Sequence, residues 1–491
     1  MEELRLLNDW KAQKLWKLLD KKWELAEYKK QKAGELLNVL VIGAGPCGLR
    51  SAIECALLGC RVVLVEQRDR FSRNNVLHLW EFVIQDLKSL GAKIFYPKFC
   101  TGSIEHISIR QLQCILLKAA LCFGVQIHDS VTFVQLLFPK KIHNTVTGFR
   151  ASIEPKGHIL AEYDIDVLIG ADGKRNTIPG VFLLEFLIEP KGHILADYDI
   201  DVLIGADGKR NTIPGFPREE MRGKLAIGIT ANFVNNKTPA EERVPEISGV
   251  AYIFNQAFFK EMYAKTGVDL ENIVYYKDDT HYFVMCAKKQ SLLDMGVILQ
   301  DNDDVSKLLS SENVDQEALC RYAQAAADFA TNGKLPALNF AKNHRGNEDV
   351  AMFDFTSLYS SKCSVRLVER MNKCLLMGIV GDSLHEPFWP TGSGCARGFL
   401  GVLDTAWLIR EYGLNKRGPL EMIAERESIY RLLAQVTKDN MNKAMNKYTI
   451  DPRTRYVSLE STLQPEDVVQ IVSSDNPRLG KMLKSWQPPQ L

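Results

Sequence analysis

The sequence predicts an α/β fold: a doubly wound, Rossmann-like sheet that binds an adenine dinucleotide, a β-rich second subdomain, and helical segments at both ends. Three observations predict it. Residues 38–68 place a strand, a glycine turn, a helix and a second strand in the order of a dinucleotide-binding unit. Two later apolar runs, Asp-Val-Leu-Ile-Gly-Ala-Asp-Gly and Leu375 to Asp382, also read as strands ending in a Gly/Asp turn. Between them, residues 225 to 285 alternate as antiparallel strands do.

Taken in order, residues 4 to 30 carry Leu6, Trp10, Leu15, Trp16, Leu19 and Trp23 among many lysines, the pattern of an amphipathic helix. Such a helix either docks on its own domain or takes a partner. Val39 to Ile42 is apolar throughout, as a parallel strand buried on both faces must be. Gly43 permits the tight turn, Gly45 lets backbone approach a pyrophosphate, and Gly48 lets helix pack on strand. Arg61 to Val65 is the second strand, and Glu66 ends it 18 residues after Gly48, where an acid takes a ribose hydroxyl. Arg73, Asn74 and Asn75 follow as three polar side chains that either grip the cofactor or form a capped surface turn.

Ser108 to Cys122 has helical spacing, Val125 to His128 reads as a strand, and 131–155 as an antiparallel meander. The segments 153–180 and 188–215 are 28 residues each and differ only at Glu162 against Asp197, an offset of 35. Two near-identical copies are a tandem duplication or a gene-model error, not a solenoid. Only one Asp-Val-Leu-Ile-Gly strand is expected to occupy the unique position in the sheet, the other being looped out. Loop closure costs only about 0.6 kcal/mol per doubling of length. Beyond Lys224 the β-rich pattern includes a hairpin turn at Lys277-Asp-Asp-Thr; 314–330 is helical, 395–412 and 420–446 are helical again, and the tail after Thr462 reads as peripheral. Gly381, Asp382 and the helix start after Gly392 and Gly394 make an anion-binding edge. The expected units are 1–37, 38–220, 221–345 and 346–491.

Composition narrows the function. Apolar and charged fractions of 46% and 25% are those of an ordinary globular protein, and a net charge of +1 argues against a dedicated polyanion binder. Eleven scattered cysteines without a CxxC pair suit a reducing compartment and give no zinc signature. The start shows no secretory h-region, and no run is apolar enough to span a bilayer. The expectation is a cytosolic protein with no metal, no nucleic-acid partner and no membrane insertion.

Three landmarks stand in order: GAGPCG with Glu66, the Gly-Ala-Asp-Gly turn, and Gly381-Asp382 with Pro390. That order resembles the class A flavoprotein monooxygenases of the p-hydroxybenzoate hydroxylase type. The strings SRNNVLHLW, HISIRQLQ, LENIVYYKDDTHYFVM and GDSLHEPFWPTGSG are closer still to the MICAL monooxygenase domain, over nearly the whole chain. The resemblance implies FAD along Gly43, Gly45, Cys47 and Gly48. It puts Glu66, Gln67 and Arg68 at the adenosine end, and Arg73, Asn74, Asn75, Phe133, Tyr282 and Asp382 at further cofactor positions. Trp389 matches the aromatic residue of the active-site cavity, with Asn75 and Tyr282 beside the chemistry; its plain alternative is a packed core tryptophan. It implies NADPH as reductant, filamentous actin as substrate and partner, methionine oxidation to the sulfoxide, hydrogen peroxide release without substrate, and a cytoskeletal location. Arg222, Lys224, Lys288 and Lys289 either meet an acidic filament or form a solvated face. The calponin-homology, LIM and coiled-coil regions usual after this domain are not in these 491 residues, so autoinhibition and most partner binding are expected to be missing. Two alternatives remain: a small-molecule aromatic hydroxylase, and a non-catalytic actin- or partner-binding protein whose flavin site the duplication has broken.

Overall fold

The computed structural model describes residues 5, 9–96, 99, 105–142, 145–154, 167–170, 202–205, 215–223, 225–388, 392–460 and 462–475. The chain enters through the helix Trp10–Trp23, whose Leu15, Trp16 and Leu19 are buried and whose Lys22 Nζ lies 2.8 Å from Asp86. The helix therefore docks on its own domain. β1 (Asn38–Ile42) and β2 (Arg61–Glu66) run parallel in the register Ile42↔Val65, joined by the helix Pro46–Leu57. β3 (Val76–His78) pairs antiparallel with β4 (His106–Ser108), and the Ser108 hydroxyl then accepts from Gln111 N to start the helix Ile109–Cys122. β5 (Gln126–Asp129) extends the sheet beyond β2.

Residues 131–155 depart from a meander. β6 (Thr132–Leu137) pairs directly with β9 (Arg150–Glu154), and β7 (Lys141–Ile142) with β8 (Thr145–Val146), so the segment is one folded-back ribbon.

The duplication corrects a second expectation. β10 (Val167–Gly170) lies parallel to β1, and β11 (Val202–Gly205) lies parallel to β10, in the register Val167↔Val202 through Gly170↔Gly205. Both copies occupy the sheet. A parallel strand inside such a sheet needs apolar residues on both faces, and Val-Leu-Ile supplies them twice. Identical strands can also lie side by side without a register conflict. An unpaired apolar strand would be the costlier alternative, because its backbone N–H and C=O groups would lack partners.

The β-rich unit opens with β12 (Arg218–Arg222), then β13 (Ile227–Val234), β14 (Ile247–Ala251), β15 (Leu270–Lys277), β16 (Thr280–Ala287) and β17 (Val350–Asp354). Its five-stranded antiparallel sheet runs β14-β15-β16-β13-β17, and β18 (Ser357–Ser361) pairs with β12. A separate core forms here around Ile229, Phe233 and Phe283, closed by the helix Gln316–Ala330. Because β17 belongs to this sheet, the chain returns to the first unit later than residue 346.

β19 (Val365–Arg370), β20 (Lys373–Ile379) and β21 (Val472–Ser474) complete a central sheet of order β21-β19-β20-β11-β10-β1-β2-β5, in which only β19 and β20 pair antiparallel. The helices Gly394–Leu414 and Pro419–Leu433 cover it. The helical reading of 420–446 thus ends at Leu433, and the tail is not peripheral up to Ser474, since β21 pairs with β19 at the sheet's edge.

Because β10 and β11 are the same four residues, either can make the other's pairings. Excision of residues 171–205 is expected to leave a folded protein that melts in a single transition, with β10 taking over the pairing to β20. Circular dichroism melting and limited proteolysis read the outcome, and a chain that no longer folds would show that the two copies are not equivalent.

Candidate functional site

The site is assembled at the carboxyl ends of the parallel strands, where open α/β sheets bind ligands. After β1, Gly43 adopts φ 92°, a conformation that a side chain would strain. The helix Pro46–Leu57 starts from Gly45 with no side-chain cap, which leaves its first N–H groups for an anion. Glu66 holds this turn in shape: one carboxylate oxygen accepts from Ala44 N at 2.7 Å, the other from Arg68 N at 3.1 Å. Each oxygen keeps a lone pair for a ribose hydroxyl. Gln67 and Arg68 follow, half-buried.

Gln113, unremarked in the sequence, braces the same turn. It is 7% exposed, donates Nε2 to the Ala44 carbonyl at 2.7 Å, and keeps a buried Oε1 without a partner. Only the helical spacing that turns it toward β1 hinted at this.

The opposite wall comes from the end of β20. Gly381 (φ 66°) begins the turn Gly381–Ser383, which leaves Asp382 exposed, and the helix Gly394–Leu414 follows. Cys47 joins the two walls. A Cβ at Gly398 would stand 2.7 Å from its Sγ, and one at Gly381 3.0 Å. Burial pushes the Cys47 thiol up, and the Asp382 carboxylate adds to this, so Cys47 is a packed thiol rather than a nucleophile.

Arg73, Asn74 and Asn75 are not a capped surface turn. The Arg73 and Asn75 carbonyls accept from Arg110 N and Ile109 N, while the two asparagine side chains cross to the β-rich unit. Asn74 Nδ2 donates to Asp349 Oδ2 at 2.8 Å, and Asn75 Nδ2 donates to the Tyr282 hydroxyl at 3.3 Å. Burial raises the Asp349 carboxyl, opposed by the Asn74 and Asn232 amides. Asn232 in turn accepts from Thr280 Oγ1 at 2.8 Å. Tyr282 is 2% exposed, and burial drives its phenol far above the usual tyrosine range, so it stays neutral. Phe133 sits half-buried on β6, opposite Ile153.

Trp389, Pro390 and Lys224 lie outside the described residues. The other basic residues considered for a filament surface are already paired: Arg222 with Glu220 and Asp354, Lys288 with Asp269, Lys289 with Asp301.

Behind Tyr282 the chain alternates, so His281 faces the subdomain core. It is fully buried, its Nδ1 2.8 Å from the Tyr275 hydroxyl and its Nε2 3.5 Å from Glu241. Burial works against ionisation of Glu241, but hydrogen bonds from Thr238, Asn236 and His281 outweigh it and hold its pKa at about 2.

The residues suit an adenine dinucleotide: a glycine turn, an uncapped helix N-terminus, an acid at the end of β2, and an orphaned carbonyl on Gln113. A profile described as an FAD binding domain matches residues 37–76, and one described as "Mical, Rossman domain" matches residues 225–354. F-actin-monooxygenase MICAL3 of Mus musculus is 54% identical over 95% of this chain and 22% of its own length. Protein-methionine sulfoxide oxidase mical3b of Danio rerio is 54% identical over 93% and 25%, and F-actin-monooxygenase MICAL2 of Homo sapiens 55% over 93% and 22%. The chain therefore spans about a fifth to a quarter of the length of these relatives. Among solved structures, the FAD-dependent halogenase CndH aligns over 85% of each chain at 15% identity, with a TM-score of 0.48.

Two outcomes follow from this geometry. Asn74→Ala removes one of the two buried amides that face the Asp349 carboxylate, leaving Asn232, and is expected to destabilise the fold by about 1–3 kcal/mol in urea unfolding. Glu241 ionises more readily folded than unfolded, so its stabilisation is full above pH 4.5 and fades toward pH 2. Glu241→Gln should flatten the rise of melting temperature across that window; an unchanged acid limb would place the stabilisation elsewhere.

Proposed function

The chain belongs to the MICAL family, and from that premise we propose that it is an FAD-dependent, NADPH-consuming monooxygenase that oxidises methionine side chains of filamentous actin to the sulfoxide. The observation that carries this reading is the meeting of the 38–68 unit with the Gly381–Asp382 turn at Cys47. It forms one continuous cradle from Glu66 to the helix Gly394–Leu414.

In this reading the N–H groups after Gly43, Gly45, Cys47 and Gly48 hold the diphosphate, and Glu66, Gln67 and Arg68 the adenosine. Arg73, Asn74, Asn75, Phe133, Tyr282 and Asp382 would line the ring end, and Trp389 is carried over from the resemblance alone as the aromatic residue of the cavity. When bound, FAD would supply the redox chemistry, with NADPH as the two-electron reductant and O2 as the oxidant: one oxygen atom would go to the thioether and the other to water, or both to hydrogen peroxide without substrate. The protein's own work is positional. Asn75 fixes the Tyr282 hydroxyl, Asn74 is fixed by Asp349, and the neutral Tyr282 presents a polar hydroxyl without a charge. No side chain has to act as a strong base.

The duplication does not argue against a working site. β10 and β11 pair in register, and Cys47 still touches the far wall across the added strand. A flavoprotein is therefore favoured over a broken binding module.

Purified protein is expected to show a bound-flavin absorption spectrum, and NADPH oxidation is expected to rise several-fold with filamentous actin, with sulfoxide in actin peptides by mass spectrometry. Protein that stays colourless after added FAD, or actin that stays unoxidised, would sink the proposal.

A further inference from the structure

Several buried or half-buried cations face a carboxylate. Arg50 meets Asp86 and Glu54, Arg455 meets Asp404, and Lys22 meets Asp86. At one corner beside the site a half-buried arginine and an exposed lysine face imidazoles instead. Lys438 Nζ lies 3.2 Å from His78 Nε2, and Arg397 Nη1 lies 3.3 Å from His385 Nε2. Neither cation forms an ion pair with a carboxylate among the described residues.

The two pairs belong to one surface. Arg397 Nη2 donates to the Val436 carbonyl at 3.2 Å, two residues before Lys438. A Cβ at Gly392 would stand 3.0 Å from His78, and one at Gly394 would stand 2.9 Å from Pro387, two residues after His385. Lys438 also lies 5.9 Å from the Trp80 ring centroid.

Three donor-capable atoms at this corner are buried without a hydrogen-bond partner: Trp80 Nε1, Arg397 Nε and His385 Nδ1. Buried donors left in this state are uncommon and call for an acceptor. The uncapped N-terminus of the helix Gly394–Leu414 adds positive potential. Burial first, and then the adjacent cation, disfavours protonation of both imidazoles. The corner is therefore preorganised for negative charge, and Lys438 leaves it open to solvent.

We propose that this corner, Lys438 with His78 and Arg397 with His385, receives the phosphate groups of the reducing dinucleotide. The inference rests on the function proposed above and deepens it. Glu66 closes the far end of the cradle with a negative charge, so a second polyanion is better received at the opposite, cationic end. A dinucleotide that must arrive, react and leave suits an exposed lysine better than a sealed pocket.

The test uses flavin-loaded protein, following the flavin difference spectrum on titration with NADP+ and NAD+. Lys438→Gln and Arg397→Gln are each expected to weaken NADP+ about tenfold or more, while Lys438→Arg keeps most of the affinity. Inorganic pyrophosphate should compete with NADP+ in the unmodified protein and lose that effect in the glutamine variants. Weakening confined to NADP+ assigns the corner to the 2′-phosphate, and equal weakening of NAD+ assigns it to the diphosphate. Either supports the proposal. Unchanged NADP+ affinity in Lys438→Gln, whose side chain is exposed and does not endanger folding, overturns it. So does a defect seen only in the concentration dependence on filamentous actin, which would make the corner a contact for an acidic protein surface. An unmodified protein that binds no FAD would overturn the proposed function as well, and is told apart by its missing flavin spectrum.

Discussion

A single thiol sets how closely the two halves of the cradle approach. Cys47 stands in the first turn of the helix Pro46–Leu57 and packs where Gly381 and Gly398 leave it room. Any side chain at residue 398 would need the space its sulfur fills, so two helix N-termini can converge only with glycine opposite cysteine. That convergence matters because each N-terminus carries about half a positive charge. Brought to one place, they form an anion site that neither element makes alone. Protonation of Cys47 is part of the same arrangement, since a thiolate there would cancel the field that the helix ends supply.

The duplicated strand tests how far that convergence depends on the sheet beneath it. An extra strand widens a sheet by about 4.8 Å, a spacing that by itself moves β20 and its Gly-Asp turn away from β1. The contact of Cys47 with Gly381 persists across β10 and β11. The insertion is accommodated because it repeats a residue pattern already suited to that layer. Four residues identical in sequence present the same ladder and the same apolar faces, so an additional copy adds width without a register conflict. A random insertion would have had to be looped out.

What the sequence disclosed follows from the range of the interactions involved. The glycine turn, the acid at the end of β2, the helix beginning near Ser108 and the hairpin at Asp278 and Asp279 are decided within a few residues, and all were legible, although Ser108 proved to be the cap rather than the first helical residue. Asn74 and Asn75 were legible as candidates but not as a capped turn or a grip, because their partners Asp349 and Tyr282 lie 275 and 207 residues away. Gln113 was hidden for the same reason. The assumption that one repeat copy must leave the sheet failed on a different point: it treated the position next to β1 as unique, whereas a parallel sheet can accept one more strand between β10 and β20. The 420–446 reading ran too long because charge pattern alone did not reveal where the helix stops, after Leu433.

Charge tells the same story at larger scale. A net charge of +1 conceals two kinds of basic residue. On the β-rich unit Arg222, Lys288 and Lys289 are neutralised by nearby carboxylates, so their number in the sequence overstates any attraction they exert on a filament. At the far end of the cradle, Lys438 faces an imidazole, and Arg397 an imidazole and a backbone carbonyl, with no carboxylate among the described residues. Coulomb attraction for an incoming anion depends on the charge left unscreened, not on the charge counted. The pair of cations left facing imidazoles beside the cradle, rather than those already matched with carboxylates, is therefore where the proposed anionic ligand would be drawn.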